Sequence, residues 1–335
     1  MAETFFIFGA GYSGLAAAAE LRRLFPACRI CGTTRSAANL PLLRAAGLEP
    51  LLFDGVNFAT AAEAEAAAAA LPQARCCFSF IGPARGAAAD SPLNNCAPGL
   101  EFAEAALAGG AAHLRSLIYV STIGVYGDSG GAWLDETAAP QPSPPLKAAR
   151  LRAEVGLRAE AGWAALAEKC GAKSLILRAG GIYGGSVCPP GFTPPPAGTA
   201  GAIDARRLSR DPFGRLLAGE AVALIKEGQV FNRIHIADLA KAACFLARSG
   251  KSGIYNLCDD CPAPPQDFLN FAAALAGLPP PPAIPIAQAR LSPAMRAFYR
   301  DNRRVSNTKL WQSGYQLLYP DYKAGLRQIY QNREK

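Results

Sequence analysis

The feature that most constrains this chain is Phe5-Phe6-Ile7-Phe8-Gly9-Ala10-Gly11-Tyr12-Ser13-Gly14. Four consecutive apolar residues read as a strand buried on both faces. The chain then turns through a G-x-G-x-x-G pattern into an Ala-rich segment, residues 13–21, of helix-forming composition. Each glycine of such a unit has its own steric task. Gly9 permits the tight turn, Gly11 lets a diphosphate approach the backbone, and Gly14 lets the helix lie close on its strand. Tyr12 and Ser13 open the helix, where unpaired N–H groups and the positive dipole end attract phosphate. A glycine pattern alone is weak, but here the strand and helix that give it meaning flank it. The expected ligand is a dinucleotide.

Beyond this unit, apolar runs alternate with helical segments. Strands are predicted near residues 29–33, 49–53, 76–81, 117–121 and 174–178, with helices near 40–46, 59–71, 100–108 and 146–170. Alternation of this kind predicts an α/β fold with a doubly wound parallel sheet, a dinucleotide-binding Rossmann fold. Proline clusters at 140–145, 189–196 and 279–285 cannot continue strands or helices and mark loops or crossings between lobes. The expected division places residues 1–184 in the Rossmann domain, with 221–250 returning to it. Residues 185–220 and 251–335 form a smaller, mainly C-terminal substrate lobe. Ligands of such sheets gather at the carboxyl ends of the strands.

The net charge of +8 is concentrated late in the sequence: residues 290–335 hold ten Lys/Arg and three acids, ten minus three giving +7. No helix-turn-helix, RNP or finger pattern accompanies the charge, so an anionic small molecule is favoured over nucleic acid. Half the residues are hydrophobic, yet no apolar run is long enough for a membrane span. With no signal-peptide pattern, the expected location is cytoplasmic. The ten cysteines show no small-domain disulfide spacing. Of the pairs Cys28/Cys31 and Cys258/Cys261, Cys31 lies in the second strand and Cys258 ends another, so they read as packing positions and no metal is expected.

The end of the second strand bears on cofactor choice. An NAD site usually carries an acid there for the ribose 2′-OH. This chain has Thr33-Thr34-Arg35-Ser36, and Arg35 could grip a 2′-phosphate with its guanidinium fork. NADP(H) is therefore favoured, with NAD(H) the alternative.

Later segments carry a family resemblance. Val120-Ser121-Thr122-Ile123-Gly124-Val125-Tyr126-Gly127 resembles the S-[ST]-x-x-V-Y-G segment after the fifth strand of extended short-chain dehydrogenases/reductases. Residues 178–184 (RAGGIYG), 229–239 (QVFNRIHIADL) and 255–260 (YNLCDD) are similar to further segments of that superfamily. Together with 304–307 (RVSN) and 319–322 (YPDY), they resemble its atypical NAD(P)-dependent epimerase/dehydratase-like branch over nearly the whole chain.

The resemblance implies a set of roles. Asp54, with Gly55 beside it, corresponds to the acid that meets the adenine amino group. Ile81-Gly82-Pro83 corresponds to the turn along the adenosine ribose. Ala179 and Gly180 fall beside the nicotinamide, and Ser121 is a further cofactor contact. Catalysis in the superfamily uses a Ser/Thr with a Tyr and Lys in Y-x-x-x-K. Thr122 matches the first, but Leu146 stands at the tyrosine position and Arg150 at the lysine position. Arg150 can still hold ribose hydroxyls, but it stays charged and cannot cycle a proton. Tyr126, with a phenol pKa lowered by Arg150, is the expected substitute acid, packing being its alternative. Tyr183, Arg233 and Arg304 (with Arg303 beside it) are the expected substrate-side residues. His235 and Asp238 are read as structural groups at a helix start. Two function classes follow: an NAD(P)-dependent oxidoreductase or epimerase-like enzyme acting on a small anionic carbonyl or sugar-type substrate, as a homodimer, and a catalytically silent NADP(H)-binding sensor or scaffold. The retained Thr122 favours the enzyme.

Overall fold

In the computed structural model, which describes residues 2–84, 93–140, 147–193, 208–291 and 293–333, the first five strands are β1 (Thr4–Phe8), β2 (Arg29–Thr34), β3 (Glu49–Leu52), β4 (Ala74–Ser79) and β5 (Ser116–Thr122). They join β7 (Lys173–Ala179) and β11 (Gly253–Leu257) in one sheet of order β3-β2-β1-β4-β5-β7-β11. Every pairing in it is parallel. The chain reverses its direction of travel across the sheet at β1 and β4, which opens a crevice at their carboxyl ends.

Side-chain alternation along each strand builds two core layers. Phe5 and Ile7 face one layer with Cys76, Phe78, Ile118, Leu175 and Leu177. Phe6 and Phe8 face the other with Cys77, Leu117, Tyr119 and Ile176. The first layer is covered by helices α1 (Tyr12–Leu24) and Ile236–Ser249, which pack on each other. The second is covered by Ala61–Ala70, Leu100–Leu107 and Lys147–Lys169. Trp163, fully buried between Phe8 and Tyr119 at centroid separations of 5.8 and 6.1 Å, anchors the last of these helices. The doubly wound α/β expectation therefore holds.

Three short parallel pairs complete the architecture: β8 (Gly181–Tyr183) with β10 (Arg233–His235), β9 (Ala223–Ile225) with β12 (Ala283–Pro285), and β6 (Trp133–Leu134) with β13 (Arg304–Val305). A third core of Phe213, Leu216, Ala272, Ala273, Tyr322, Leu326 and Ile329 forms the smaller lobe. The expected lobe boundaries need correcting at two strands. β11, expected in the lobe, is the outer strand of the central sheet, where Tyr255 and Leu257 complete the first core layer. β9, expected to return to the Rossmann domain, pairs with β12 beside the lobe helix Pro265–Leu275.

The helix Ile236–Ser249 starts at a joint. His235 is its N-cap, Nδ1 accepting from the Ala237 N–H at 3.3 Å. The fully buried Asp238 carboxylate accepts from the Tyr315 hydroxyl (2.9 Å) and from the N–H groups of Leu318 (2.7 Å) and Tyr319 (3.0 Å). Burial lowers the His235 pKa to about 4 and raises that of Asp238. Among the described residues, no helix is long and apolar enough to cross a membrane.

Candidate functional site

The glycine turn joins the end of β1 to α1. Gly9 has φ +81°, a conformation that L side chains rarely adopt, and an added Cβ would lie 2.7 Å from Ile81 Cγ1. A Cβ on Gly14 would sit 2.4 Å from the Gly9 carbonyl oxygen, so helix and turn touch backbone to backbone. A Cβ on Gly11 would meet nothing within 4 Å. It would instead fill the open cradle over the start of α1, where no side chain caps the helix. The end of β2 braces the turn: the Gly9 N–H donates to Thr33 Oγ1 at 2.9 Å and the Ala10 N–H to the Thr33 carbonyl at 2.8 Å. Tyr12 has a buried ring whose hydroxyl donates to the Gly185 carbonyl at 3.0 Å, leaving its backbone N–H in the first turn beside those of Ser13 and Gly14.

Around this turn lie the other expected cofactor residues. Thr34 is buried, its hydroxyl accepting from Asn39 Nδ2 at 3.1 Å, while Arg35 is exposed. Asp54 Oδ1 accepts from the N–H groups of Val56 (2.7 Å) and Asn57 (2.8 Å), and these bonds lower its pKa. Gly55, at φ +117°, follows it and accepts from the Gly99 N–H at 3.0 Å. Ile81 and Pro83 are half-buried and Gly82 exposed where β4 ends, next to the turn. An open glycine cradle and an uncapped helix start fit a dinucleotide diphosphate.

Beside the ends of β5 and β7 is a cavity of about 490 Å³. Thr122 closes β5, and its Oγ1 accepts from the Gly124 N–H at 3.0 Å to start a 3₁₀ turn, Ile123–Tyr126. Gly180 follows β7, where an added Cβ would lie 2.9 Å from the Asn232 carbonyl oxygen. That close approach brings the segment Val230–Arg233 against the sheet edge, and Asn232 fastens the far wall. Its Nδ2 donates to the Arg303 carbonyl (3.0 Å) and its Oδ1 accepts from the Val305 N–H (2.8 Å). The apolar lining comes from Ile123, Val125, Ile182, Val230, Phe231 and Phe268.

Two guanidinium groups reach this cavity. Arg233 donates to the carbonyls of Phe231 (3.1 Å) and Ala263 (3.2 Å), with its guanidinium carbon 4.8 Å from the Phe268 ring centroid. Burial lowers its pKa, opposed by the charge of Asp259. Arg303 donates to the Ile123 carbonyl (3.1 Å) and pairs with Asp301 (2.7 Å), while its Nε is buried without a partner among the described residues. Arg304 is placed elsewhere, donating to the Gly131 carbonyl outside the cavity lining. Arg303, one residue earlier, is the group in the cavity that sequence reasoning ranked no higher than its neighbour.

The expected catalytic group is divided by the fold. Thr122 faces the cavity, but Tyr126 packs behind it with Cys258 and Val305. The Tyr126 hydroxyl donates to Asn256 Oδ1 at 2.8 Å, and its ring carries the Arg178 guanidinium at 4.7 Å. Burial raises its pKa more than Arg178 lowers it, opposite to the expected lowering. Leu146 and the side chain of Arg150 lie outside the described residues. Ser121 donates to Glu160 at 2.5 Å, and Glu160 forms a buried ion pair with Arg178 at 2.7 Å, a pairing the sequence motifs did not disclose. Ala179 ends β7 buried in the first core layer. Tyr183 lines the cavity, edge-on to His235 and Phe268, with its pKa raised by burial.

No protein-family profile and no curated protein matches the chain. Among solved structures, a functionally unknown conserved protein from Silicibacter pomeroyi DSS is 32% identical, with a TM-score of 0.77 over 98% of this chain and 99% of that one. Human epimerase family protein SDR39U1 (isoform 2), solved with NADPH, is 17% identical, with a TM-score of 0.67 over 98% of this chain and 99% of that one. The dTDP-glucose 4,6-dehydratase of Bacillus anthracis str. Ames, solved with NAD, is 14% identical, with a TM-score of 0.71 over 99% and 97%.

Proposed function

Because the chain belongs to one family with the Silicibacter pomeroyi protein and has the fold of the epimerase/dehydratase-like branch of the short-chain dehydrogenases/reductases, we propose that it is an NADP(H)-dependent oxidoreductase or epimerase-like enzyme acting on a small anionic carbonyl or sugar-type substrate. The observation that carries this reading is the glycine cradle: Gly14 lies against the Gly9 carbonyl while Gly11 leaves the space above α1 open. When bound, the nicotinamide supplies or accepts the hydride.

The chain's own residues do the rest. Gly11, Tyr12, Ser13 and Gly14 would present backbone N–H groups to the diphosphate, while Gly9, its own N–H given to Thr33, makes the turn. Thr34 and Arg35 would meet the 2′-phosphate end, while Asp54, Gly55 and Ile81-Gly82-Pro83 would flank the adenosine. Ala179 and Gly180 would border the nicotinamide, with Ser121 a further cofactor contact, and by the resemblance Arg150 would hold its ribose. The Thr122 hydroxyl hydrogen-bonds the reacting oxygen, with Arg303 and Arg233 on the anionic group and Tyr183 on the apolar wall. Tyr126, hydrogen-bonded to Asn256 and disinclined to ionise, holds the 3₁₀ turn that aims Thr122, and water at Thr122 exchanges the proton. A homodimer in the cytoplasm belongs to the same proposal.

A catalytically silent NADP(H)-binding protein is the second reading, favoured by Leu146 at the tyrosine position. Both readings require dinucleotide binding, and turnover separates them. We expect NADPH oxidation in a screen of carbonyl substrates bearing a carboxylate or phosphate, and its loss in Thr122→Ala. Tight NADPH binding without turnover on any of them establishes the silent protein.

A further inference from the structure

Beside Tyr12, at the start of α1, stands Arg210. Its backbone forms an antiparallel bridge with Gly184, N–H to carbonyl at 3.0 Å and the return bond at 3.4 Å. The adjoining Gly185 carbonyl takes the Tyr12 hydroxyl. Gly184 makes this approach possible, since a Cβ there would lie 2.8 Å from that hydroxyl and 2.4 Å from Ile236 Cγ2. The Arg210 guanidinium carbon is thereby held 5.2 Å from the ring centroid of Tyr12, the first residue of α1.

Arg210 is exposed and pairs with no carboxylate among the described residues. The adjacent Asp211 is engaged elsewhere, accepting from Ser209 Oγ (2.7 Å), the Phe213 N–H (2.9 Å) and Arg333 (3.0 Å). The guanidinium lies over the buried Tyr12 ring while Arg210 itself is exposed, which holds the group in place with its outer side open to an anion. The same fork matches phosphate oxygens in a bidentate manner.

Resting on the dinucleotide reading above, we infer that Arg210 is a strap over the diphosphate of the bound dinucleotide. It neutralises the diphosphate from the side of Tyr12, so that cofactor retention is coupled to the Arg210–Gly184 bridge beside α1. Arg35 and Arg210 then divide the labour: Arg35 senses the 2′-phosphate, whereas Arg210 serves any dinucleotide.

The test is fluorescence titration of the full chain with NADPH and NADH, and competition with 2′-AMP, which lacks a diphosphate. Arg210→Ala and Arg210→Gln are expected to weaken NADPH and NADH by the same factor, about 10-fold. Affinity for 2′-AMP and the ligand-free melting temperature stay as in the wild type, and Arg210→Lys recovers part of the loss. Arg35→Ala, in contrast, weakens NADPH and 2′-AMP but spares NADH. Unchanged dinucleotide affinity in Arg210→Ala and Arg210→Gln overturns the strap, as does an equal loss for 2′-AMP. A wild-type chain that binds neither NADPH nor NADH overturns the dinucleotide reading itself, whatever the Arg210 variants do.

Discussion

Adding one methyl group at Gly11 and at Gly14 should damage the protein in opposite ways. At Gly14 the new Cβ would lie 2.4 Å from the Gly9 carbonyl oxygen, about 1 Å inside ordinary contact, and both partners are backbone. Overpacking between two backbone groups falls in the upper part of the usual range, about 2–3 kcal/mol, from which alanine's better helix propensity returns up to about 1 kcal/mol. For 335 residues the unfolding entropy is about 0.7 kcal/mol/K, so Gly14→Ala should lower Tm by roughly 1–4 °C. At Gly11 the Cβ meets nothing within 4 Å, and the change costs only the poorer N-cap of alanine, about 0.5–1 kcal/mol or about 1 °C. NADPH at 100 times its Kd stabilises the wild type by about 2.7 kcal/mol, a rise of about 4 °C. Gly11→Ala should abolish that rise while barely moving the ligand-free transition, because its methyl fills the cradle. The assay is a thermal melt with and without NADPH. A Gly11→Ala protein that keeps the NADPH-dependent rise would refute the cradle, and a Gly14→Ala protein melting with the wild type would refute the packing argument.

Glu160→Leu strands the buried Arg178 charge and should cost about 3–5 kcal/mol, or about 4–7 °C in Tm, with most of the loss recovered in Glu160→Leu/Arg178→Leu; calorimetry on the three proteins checks this. Burial lowers the His235 pKa from an ordinary 6.5 to about 4, so the unfolded chain binds the proton more tightly. The stability from keeping this ring neutral is complete above pH 6.5 and declines as pH falls toward 4, by about 2 kcal/mol at pH 5. Asp238 and Asp259, raised by burial, act in the opposite sense, so the measurement is the difference between wild type and His235→Asn in denaturant titrations from pH 7.5 to 5. The variant should lack the decline, and identical slopes would dismiss the assignment. On any substrate found, Arg303→Leu should raise KM at least 10-fold by removing a charged hydrogen bond, whereas Arg304→Leu should leave KM within about 2-fold.

The apolar run at residues 5–8 and the glycines after it were legible because strand alternation and steric demand are local properties. Phe5 and Ile7 enter one layer and Phe6 and Phe8 the other, as period two requires. The membership of β11 was not legible, since an outer strand is identified by its partner, and β7 lies some eighty residues earlier. The same limit separates Arg303 from Arg304. Successive residues entering a strand point to opposite sides, and which side faces the cavity is fixed by β13 pairing with β6 and by Asn232 gripping the backbone at 303 and 305. Tyr126 was open to misreading for a related cause. Its phenol is drawn inward by Asn256, a partner 130 positions away that no local pattern announces.

The three donors gathered by Asp238 fix more than a helix start. They pin the backbone at 318 and 319 to the head of Ile236–Ser249, and so to the wall of the main sheet. One carboxylate thus ties the last stretch of the chain to a helix that also packs on α1, so its substitution would slacken both attachments at once.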